Sequence, residues 1–196
     1  MEKVTIYLFD TNEKSLEELK GSPFLLESDL EELNRFKVEE VLKEKLASRI
    51  LKRKYVGDFY LNERGKPLSD KVYFNSSDSK GLVALAVSTL PIGIDIEKIR
   101  EYKEKMRNYI SSFEEKEYIK NEDNFYEVWT SKEGLTKCLG TGINKRVNEI
   151  PAFPLNGKKE YENKVFFSKT TKRKGYIFNI TLEATQDFDI KFIEEK

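Results

Sequence analysis

The segment from Pro91 to Glu97 alternates apolar and acidic residues, and this pattern constrains the fold more than any other feature of the chain. It reads Pro-Ile-Gly-Ile-Asp-Ile-Glu. Side chains of a β-strand alternate between its two faces, so the three isoleucines share one face, while Asp95 and Glu97 share the other with Gly93. We therefore predict a strand that is buried on one side and carries two carboxylates on the other, with room beside them at Gly93.

Asp95 and Glu97 predict a cation site. Two neighbouring carboxylates repel each other unless a positive charge lies between them. A hard cation such as Mg²⁺ suits this position, because it prefers oxygen ligands and completes its shell with water and phosphate oxygens. The alternative is an exposed edge strand whose acids are only solvated, since the Asp-x-Glu pattern is common.

The segment from Trp129 to Lys137 predicts a helix with a charged stripe. Helical spacing places Trp129, Glu133 and Lys137 along one side of that helix. A carboxylate and an ammonium group therefore project in the same direction. The alternative is an ordinary surface ion pair between Glu133 and Lys137, with Trp129 packed in the core.

The composition limits the chemistry that the chain can perform. Its 196 residues include 35 Lys and Arg, 35 Asp and Glu, and no histidine, so histidine acid–base catalysis and the commonest zinc ligand are both excluded. The balanced charge gives no general attraction to nucleic acid or to an anionic membrane surface. Any catalysis must rest mainly on carboxylates, lysines and hydroxyl groups.

The cysteine content and the N-terminus predict a cytoplasmic location. The single cysteine, Cys138, cannot form an internal disulfide, which fits a reducing compartment. The first nine residues read as a strand rather than a signal peptide, and no apolar run approaches the roughly 20 residues that span a bilayer. We therefore expect a soluble protein that binds neither nucleic acid nor membrane.

The order of helical and strand patterns predicts a mixed α and β fold. After the first strand, helical patterns lie around 16–20, from a capping box at Ser28 to Glu31, and from 41 to about 55. Short strands are predicted over 72–75, 83–87 and 92–96, and again over 165–167 and 176–182, with a helix over 125–139 between the two groups.

Two stretches of the chain are similar to each other. The run 70–75, followed by Gly81 and an apolar strand, is echoed by the run 163–168, followed by Gly175 and another apolar strand. We therefore predict an α+β (α/β) fold of two similar pseudo-repeated halves, 1–98 and 99–196, each a small sheet packed with helices. They would form one compact unit with the site between them. Chance similarity of two strand pairs is the alternative.

Several short motifs accompany these segments. They are Gly65-Lys66-Pro67, Phe74-Asn75-Ser76-Ser77-Asp78-Ser79, Gly93-Ile94-Asp95-Ile96-Glu97, a Phe113-x-x-x-Glu117 element, and Trp129-Thr130-Ser131-Lys132-Glu133 with Lys137. In this combination and order, the chain resembles the 4'-phosphopantetheinyl transferase superfamily, specifically its longer, surfactin-synthetase-activating (Sfp-like) branch. The resemblance extends from about Arg35 to Gly142.

The resemblance implies two similar α/β halves with coenzyme A in the cleft between them. It implies Mg²⁺-dependent transfer of the phosphopantetheine arm to a serine of an apo acyl or peptidyl carrier protein, with release of adenosine 3',5'-bisphosphate. It also implies that the protein acts as a monomer. Asp95, Glu97 and Glu133 would hold the Mg²⁺ against the pyrophosphate. Lys137 would contact the phosphates and steady the leaving group.

The resemblance also implies further contacts with coenzyme A. Lys66 and Lys132 would be additional phosphate contacts, and Ser77 and Asp78 occupy the motif that holds the 3'-phosphate. For each lysine, the alternative is a solvated surface charge. The resemblance assigns deprotonation of the carrier serine to Glu133. Because a carboxylate bound to Mg²⁺ has a lowered pKa and is a poorer base, a water molecule positioned by Glu133 is the alternative.

One position departs from the family pattern. The family has histidine in the Phe-Asn-x-Ser-His-Ser motif, where it helps to hold the 3'-phosphate, whereas this chain has Asp78. An acid beside a phosphate weakens binding unless a cation intervenes. Four residues could supply that cation: Lys43, Lys45, Arg53 and Lys80. We expect weak discrimination between coenzyme A and dephospho-coenzyme A. The alternative is a non-catalytic relative that binds a carrier protein or a nucleotide.

Overall fold

The computed structural model describes residues 1–143 and 146–195, which form two four-stranded sheets with helices on their outer faces and a short two-stranded sheet of Tyr60–Leu61 and Pro67–Leu68. The helices are α1 (Leu16–Lys20), α2 (Glu27–Leu33), α3 (Glu39–Tyr55), α4 (Glu104–Ile110), α5 (Phe113–Tyr118) and α6 (Glu122–Leu139). The strands are β1 (Glu2–Asp10), β2 (Tyr60–Leu61), β3 (Pro67–Leu68), β4 (Tyr73–Ser79), β5 (Leu82–Ser88), β6 (Ile92–Lys98), β7 (Gly157–Tyr161), β8 (Lys164–Arg173), β9 (Tyr176–Glu183) and β10 (Phe188–Glu194).

The first sheet has the strand order β10-β1-β5-β4. Its strands are antiparallel except for β1 and β10, which are parallel. Helix α3 packs on its outer face, because Leu42, Leu46 and Ile50 recur at helical spacing and are buried. These side chains share an apolar cluster with Val83 and Leu85 of β5. The long helix thereby fixes the position of its charged residues relative to the sheet.

The second sheet has the order β6-β9-β8-β7, with every pair antiparallel. Helix α6 packs on its outer face. The helix begins after Asn121, whose side chain accepts the Asn124 N–H, and ends at Gly140, which adopts a left-handed φ of 76°. Both ends are thus set by residues suited to capping.

The inner faces of the two sheets share one apolar core. Ile92, Ile94 and Ile96 of β6 are at most 1% exposed and pack among buried residues of β1, β5 and β9. This burial confirms the predicted apolar face of the segment 91–97. The opposite face of β6, which carries the carboxylates, is therefore directed towards helix α6.

Each sheet takes one strand from the other half of the chain. Strand β6 precedes residue 99 but pairs with β9, and the last strand, β10, pairs with β1. A boundary after residue 98 therefore does not separate the two sheets, because strand pairing follows contacts between distant segments. The predicted mixture of helices and sheets is confirmed, whereas the pseudo-repeat stays a prediction.

Two helix starts differ from the sequence expectation. Helix α2 begins before Ser28, and its capping residue is Leu26, whose N–H donates to Oδ2 of Asp29 at 3.1 Å. The prediction of a capping box at Ser28 is therefore wrong. Helix α6 begins at Glu122, before the predicted start. None of the helices described between residues 1 and 195 is long and apolar enough to cross a membrane.

Gly93 and Gly134 allow helix α6 to approach β6 closely. A Cβ at Gly93 would lie 2.0 Å from the carbonyl oxygen of Gly134 and 2.4 Å from the backbone nitrogen of Cys138. A Cβ at Gly134 would lie 2.2 Å from Oδ1 of Asn179. The space predicted beside the carboxylates is therefore occupied by the helix backbone, and Gly93 serves packing.

Replacing Gly93 with alanine is expected to lower the free energy of unfolding by about 3 kcal/mol, because backbone atoms cannot move aside as a side chain can. Urea denaturation measures the loss. Gly21→Ala is the matched control: its φ is −78°, its Cβ would meet no atom closer than 3.3 Å, and we expect a change of at most about 1 kcal/mol. Equal losses in the two variants would contradict the proposed close approach.

Candidate active site

The edges of the two sheets meet where β4 runs beside β6, and we call this contact the β4–β6 seam. Backbone N–H groups of β6 donate to side chains of β4 at every second residue. The pairs are Ile94 to Oδ1 of Asn75 at 3.0 Å, Ile96 to Oγ of Ser77 at 3.3 Å, and Lys98 to Oγ of Ser79 at 3.2 Å. Such N–H groups on an edge strand otherwise need water or another strand. The side chains of β4 therefore satisfy these three N–H groups on the edge of β6.

The two serines of the seam also orient the carboxylates. Ser77 Oγ donates to Oδ1 of Asp95 at 2.9 Å, and Ser79 Oγ donates to Oε2 of Glu97 at 2.8 Å. Each serine hydroxyl thus accepts a hydrogen bond from the backbone of β6 and donates one to a carboxylate of the same strand. It therefore acts both as an acceptor and as a donor. The seam consequently determines where these carboxylates lie.

Helix α6 brings three side chains to the carboxylates. Lys137 Nζ donates to Oδ1 of Asp95 at 2.6 Å, and the indole N–H of Trp129 donates to Oε1 of Glu97 at 3.4 Å. Glu133 lies between them on the helix and lines the same cleft. The helical spacing predicts that these three side chains point in the same direction. Lys137, however, forms its ion pair with Asp95 of β6 and not with Glu133 of its own helix.

These side chains line an open cleft of about 390 Å³ that continues to helix α3. Four carboxylates and two ammonium groups border it: Asp78, Asp95, Glu97, Glu133, Lys45 and Lys137. The excess negative charge would repel a phosphate group entering the cleft unless a cation is bound there.

Burial raises the pKa of the three central carboxyl groups. For Asp95, the effect of burial exceeds that of the neighbouring Lys137 ammonium. For Glu97, burial exceeds the opposing effect of the hydrogen bond from Ser79. For Glu133, the negative charge of Asp95 adds to burial. Burial opposes the charge of Lys137, but the carboxylates of Asp95, Glu133 and Asp78 together outweigh burial and raise the pKa of the ammonium group.

The donor set fits a hard cation in its chemistry, although the side chains form no closed ligand cluster. Oδ2 of Asp95 is buried and has no hydrogen-bond partner in the described structure. Within residues 1–143 and 146–195, no three His, Cys, Asp or Glu side chains converge closely enough to hold a metal ion. A cation would therefore gather these carboxylates only as it binds.

Asp78 is neutralised by a lysine at the α3 end of the cleft. Lys45 Nζ lies 2.7 Å from Oδ1 of Asp78, and both side chains line the cleft. Of the four cations that the sequence suggests, Lys45 is the one placed beside Asp78. Lys43 and Lys80 border a neighbouring cavity of about 710 Å³.

Arg53 does not reach the cleft. Its guanidinium group donates to both carboxylate oxygens of Asp29 of α2, at 3.1 Å and 3.0 Å, and Arg53 is not among the residues that line the cleft. The contact between Arg53 and coenzyme A stays a prediction, and the guanidinium group is engaged in a bidentate ion pair in this structure.

Lys132 is turned away from the cleft. Its side chain is fully buried, and Nζ lies 2.8 Å from Oε2 of Glu115 while donating to the carbonyl oxygens of Val147 and Ile150. Successive residues of a helix are about 100° apart around its axis, so the neighbour of Glu133 points elsewhere. The predicted phosphate contact of Lys132 is therefore corrected to a structural role.

Lys66 lies at the C-terminal end of α6. Its Nζ donates to the carbonyl oxygens of Lys137 at 2.8 Å and Cys138 at 3.2 Å, where a helix end attracts a cation. The phosphate contact of Lys66 stays a prediction, and in the described structure two of its N–H groups are directed to the helix end.

Sequence reasoning missed Asn75, Ser79 and Glu115. The first two share one face of β4 with Ser77, and the uninterrupted polar run from Asn75 to Ser79 is the signal that could have revealed them. In the 113–117 element, Glu115 is 3% exposed and forms a capping box with Ser112, whereas Glu117 is exposed. The Ser-x-x-Glu spacing could have identified this acid.

Replacing Ser79 with alanine removes an acceptor for the Lys98 N–H and a donor to Glu97. We expect the free energy of unfolding to fall by about 1–3 kcal/mol, because both partners stay at least half-buried without a replacement. Ser76→Ala on the same strand is the control, since its hydroxyl only contacts Ser48 Oγ at 3.4 Å, and it should lose at most about 0.5 kcal/mol. Equal losses in chemical denaturation would show that the seam contributes no stability.

Comparison with known proteins supports the resemblance seen in the motifs. A family model of the 4'-phosphopantetheinyl transferase superfamily matches residues 91–191, just over half of the chain. This match includes β6, α6 and all three central carboxylates.

Three similar proteins are Sfp-like transferases from bacilli and their relatives. The chain is 38% identical over 101 residues to the 4'-phosphopantetheinyl transferase gsp of Aneurinibacillus migulanus, which covers 47% of this chain and 42% of that protein. It is 31% identical over 113 residues to the transferase Sfp of Bacillus subtilis (strain 168), covering 50% of each, and 29% identical over 103 residues to the transferase psf-1 of Bacillus pumilus, covering 48% of this chain and 44% of that protein. The chain thus spans half or less of the length of these relatives. It belongs to the 4'-phosphopantetheinyl transferase superfamily.

Proposed function

We propose that this chain transfers the 4'-phosphopantetheine group of coenzyme A to a serine of an apo acyl or peptidyl carrier protein and releases adenosine 3',5'-bisphosphate. The observation that carries this proposal is the cleft in which Asp95, Glu97 and Glu133 face Lys137 at the junction of the two sheets. Membership of the superfamily supports the reaction class.

Mg²⁺ is the proposed cofactor, held by Asp95, Glu97 and Glu133. The cleft carries two more negative than positive side chains, which a divalent cation would balance before a pyrophosphate enters. The unpartnered Oδ2 of Asp95 is suited to a cation, because a buried carboxylate oxygen without a donor is unfavourable. When bound, Mg²⁺ neutralises charge on the pyrophosphate oxygens. Raised carboxyl pKa values predict that Mg²⁺ affinity falls on acidification, because protons compete for the same oxygens.

Lys137 is the residue proposed to stabilise the leaving group. Its ammonium group is kept charged by Asp95, which raises its pKa against the effect of burial. A fixed positive charge beside the cleft favours the negative charge that develops on the departing phosphate. Its hydrogen bonds to Asp95 and Ser77 hold this charge in place before substrate binds.

Glu133 is proposed to accept the proton of the carrier serine, directly or through a water molecule. Burial and the charge of Asp95 raise the pKa of Glu133, which makes its carboxylate more basic. Binding of a cation to the same carboxylate would reduce this basicity, and the water-mediated route then applies.

The α3 end of the cleft is proposed to bind the nucleotide end of the donor. Lys45 lies there, but its charge is largely neutralised by Asp78 at 2.7 Å. A 3'-phosphate therefore meets no free positive charge from this pair. We infer that coenzyme A and dephospho-coenzyme A serve as donors with similar efficiency.

The transferase activity is tested with Mg²⁺, coenzyme A and an apo carrier protein, with the phosphopantetheine adduct detected by mass spectrometry. We expect Asp95→Asn and Glu133→Gln to lower kcat/KM by roughly 10²-fold or more, because each removes a charge from the reacting region. Glu160→Gln is the control, since Glu160 is exposed on β7, belongs to none of the motifs and pairs with the exposed Lys158.

Undiminished activity in both cleft variants would refute the named site. A folded wild-type protein that forms no adduct with any carrier protein, yet still binds one, would instead identify the non-catalytic relative. The predicted cytoplasmic location and monomeric state stay predictions, and analytical ultracentrifugation tests the latter.

The donor proposal is tested by comparing steady-state kinetics with coenzyme A and dephospho-coenzyme A. We expect kcat/KM values that agree within about threefold in the wild type. Asp78→Asn should raise kcat/KM roughly tenfold for coenzyme A alone, because it frees the Lys45 ammonium for the 3'-phosphate. A strong preference of the wild type for coenzyme A would contradict the proposal.

A further inference from the structure

Three charged side chains are buried together on the side of α6 that faces away from the cleft. Glu115 of α5, Lys132 of α6 and Lys159 of β7 are 3%, 0% and 4% exposed. They converge on the backbone of the segment 147–152, which comprises the short helix Val147–Glu149 and the residues after it. We call these three residues the buried charge cluster. The mechanism proposed above uses none of them.

Glu115 and Lys132 form a fully hydrogen-bonded ion pair. Oε2 of Glu115 accepts from Lys132 Nζ at 2.8 Å and from the Ser112 N–H at 2.7 Å, while Oε1 accepts from the Ala152 N–H at 3.0 Å. The other hydrogens of Lys132 are directed to two backbone carbonyl groups. A buried ion pair is tolerable when its remaining hydrogen bonds are satisfied. This pair therefore joins α5, α6 and the segment 147–152.

Lys159 lacks a carboxylate of its own. Within the described structure, its Nζ donates to two neutral groups, Oγ of Ser131 at 2.9 Å and the carbonyl oxygen of Ala152 at 2.8 Å. The Ser131 hydroxyl also donates to that carbonyl oxygen at 2.7 Å. The cluster thus contains two ammonium groups and one carboxylate. One positive charge is in excess among side chains that are at most 4% exposed.

Burial lowers the pKa of Lys159 to about 7, and the positive charge of Lys132 adds to this effect while Glu115 opposes it. The groups that face Lys159 are Glu115 from α5, Lys132 and Ser131 from α6, the Ala152 carbonyl, and the buried Phe166 opposite it on β8. No other charge in the described elements is directed at this ammonium group. When Lys159 loses its proton, Nζ can accept the Ser131 hydroxyl hydrogen, so the contact with α6 persists without the excess charge.

We propose that the buried charge cluster anchors helix α6 in a pH-dependent manner, with Lys159 as the group that titrates. Helix α6 carries Glu133 and Lys137, so the cluster affects the positions of these two cleft residues through the helix that carries them. Lys159 is a positioning residue in this scheme, since it contacts neither the cleft nor a substrate. The anchor stands on the packing of α6 alone, and only its consequence for transfer rests on the proposed function.

The direction of the pH effect follows from the linkage between protonation and folding. The lysine pKa is near 10.5 in the unfolded chain and about 7 in the folded protein, so the unfolded chain binds more protons between these values. Stability therefore rises with pH above about 7. The charge on Lys159 destabilises the folded protein most below this pH, and the effect decreases as the pH rises above it. The folding equilibrium constant should increase roughly 10- to 30-fold between about pH 6.5 and about pH 8.5 from this group alone.

The first experiment compares urea unfolding of the full chain at about pH 6.5 and about pH 8.5. Lys159→Met should be more stable than the wild type at the lower pH and should lose the 10- to 30-fold pH dependence. Lys158→Met is the matched control, because Lys158 is the exposed neighbour on the same strand and pairs with Glu160. It should retain the wild-type pH profile. If Lys159→Met does not fold, Lys159→Gln provides the same comparison.

A second measurement separates positioning from general stability. Hydrogen exchange of the α6 segment 131–137, corrected for the intrinsic pH dependence of exchange, should show less protection at about pH 6.5 than at about pH 8.5 in the wild type. This difference should disappear in Lys159→Met and persist in Lys158→Met. No substrate enters either measurement, so a failed transferase proposal leaves both results interpretable. The same pH dependence in wild type and Lys159→Met, by unfolding or by exchange, would overturn the proposed anchor.

Discussion

The hydrogen bonds of the β4–β6 seam are the interaction on which the rest of the structure depends. Apolar packing between the inner faces of the two sheets is non-directional and leaves the strands free to slide along each other. The seam adds direction, because Asn75, Ser77 and Ser79 each meet one backbone N–H of β6. Since the same serines hold Asp95 and Glu97, the contact that aligns the sheets also positions the cleft.

The cleft brings four carboxylates and two ammonium groups close together, which is an unfavourable arrangement of charge when no cation is bound. Burial raises the pKa of each central carboxyl group, and one oxygen of Asp95 has no partner in the described structure. Lys137 offsets part of this charge through its ion pair with Asp95. Proteins commonly retain such unfavourable arrangements at functional sites and compensate for them elsewhere. Burial of apolar side chains in the core between the sheets stabilises the fold against such a cost.

Helix α6 contributes side chains to two polar regions, the open cleft and the buried charge cluster. Glu133 borders the open cleft, whereas Lys132, the preceding residue, is sealed against Glu115 in the interior. The helix can serve both regions because Gly93 and Gly134 allow its backbone to lie directly against β6. Lys132 and Glu133 are adjacent in the sequence, but one side chain is buried in the interior and the other lines the cleft.

The sequence by itself determined the alternation of β6, the stripe of Trp129, Glu133 and Lys137 on α6, and the family to which the chain belongs. Periodicity is a local property, so it identifies which residues share a face. Only the tertiary structure decided what each face meets. The pairing of Lys45 with Asp78, the inward turn of Lys132, the approach of α6 at Gly93 and the exchange of β6 and β10 between sheets all join distant segments. Such contacts depend on packing in three dimensions, which no spacing along the chain specifies.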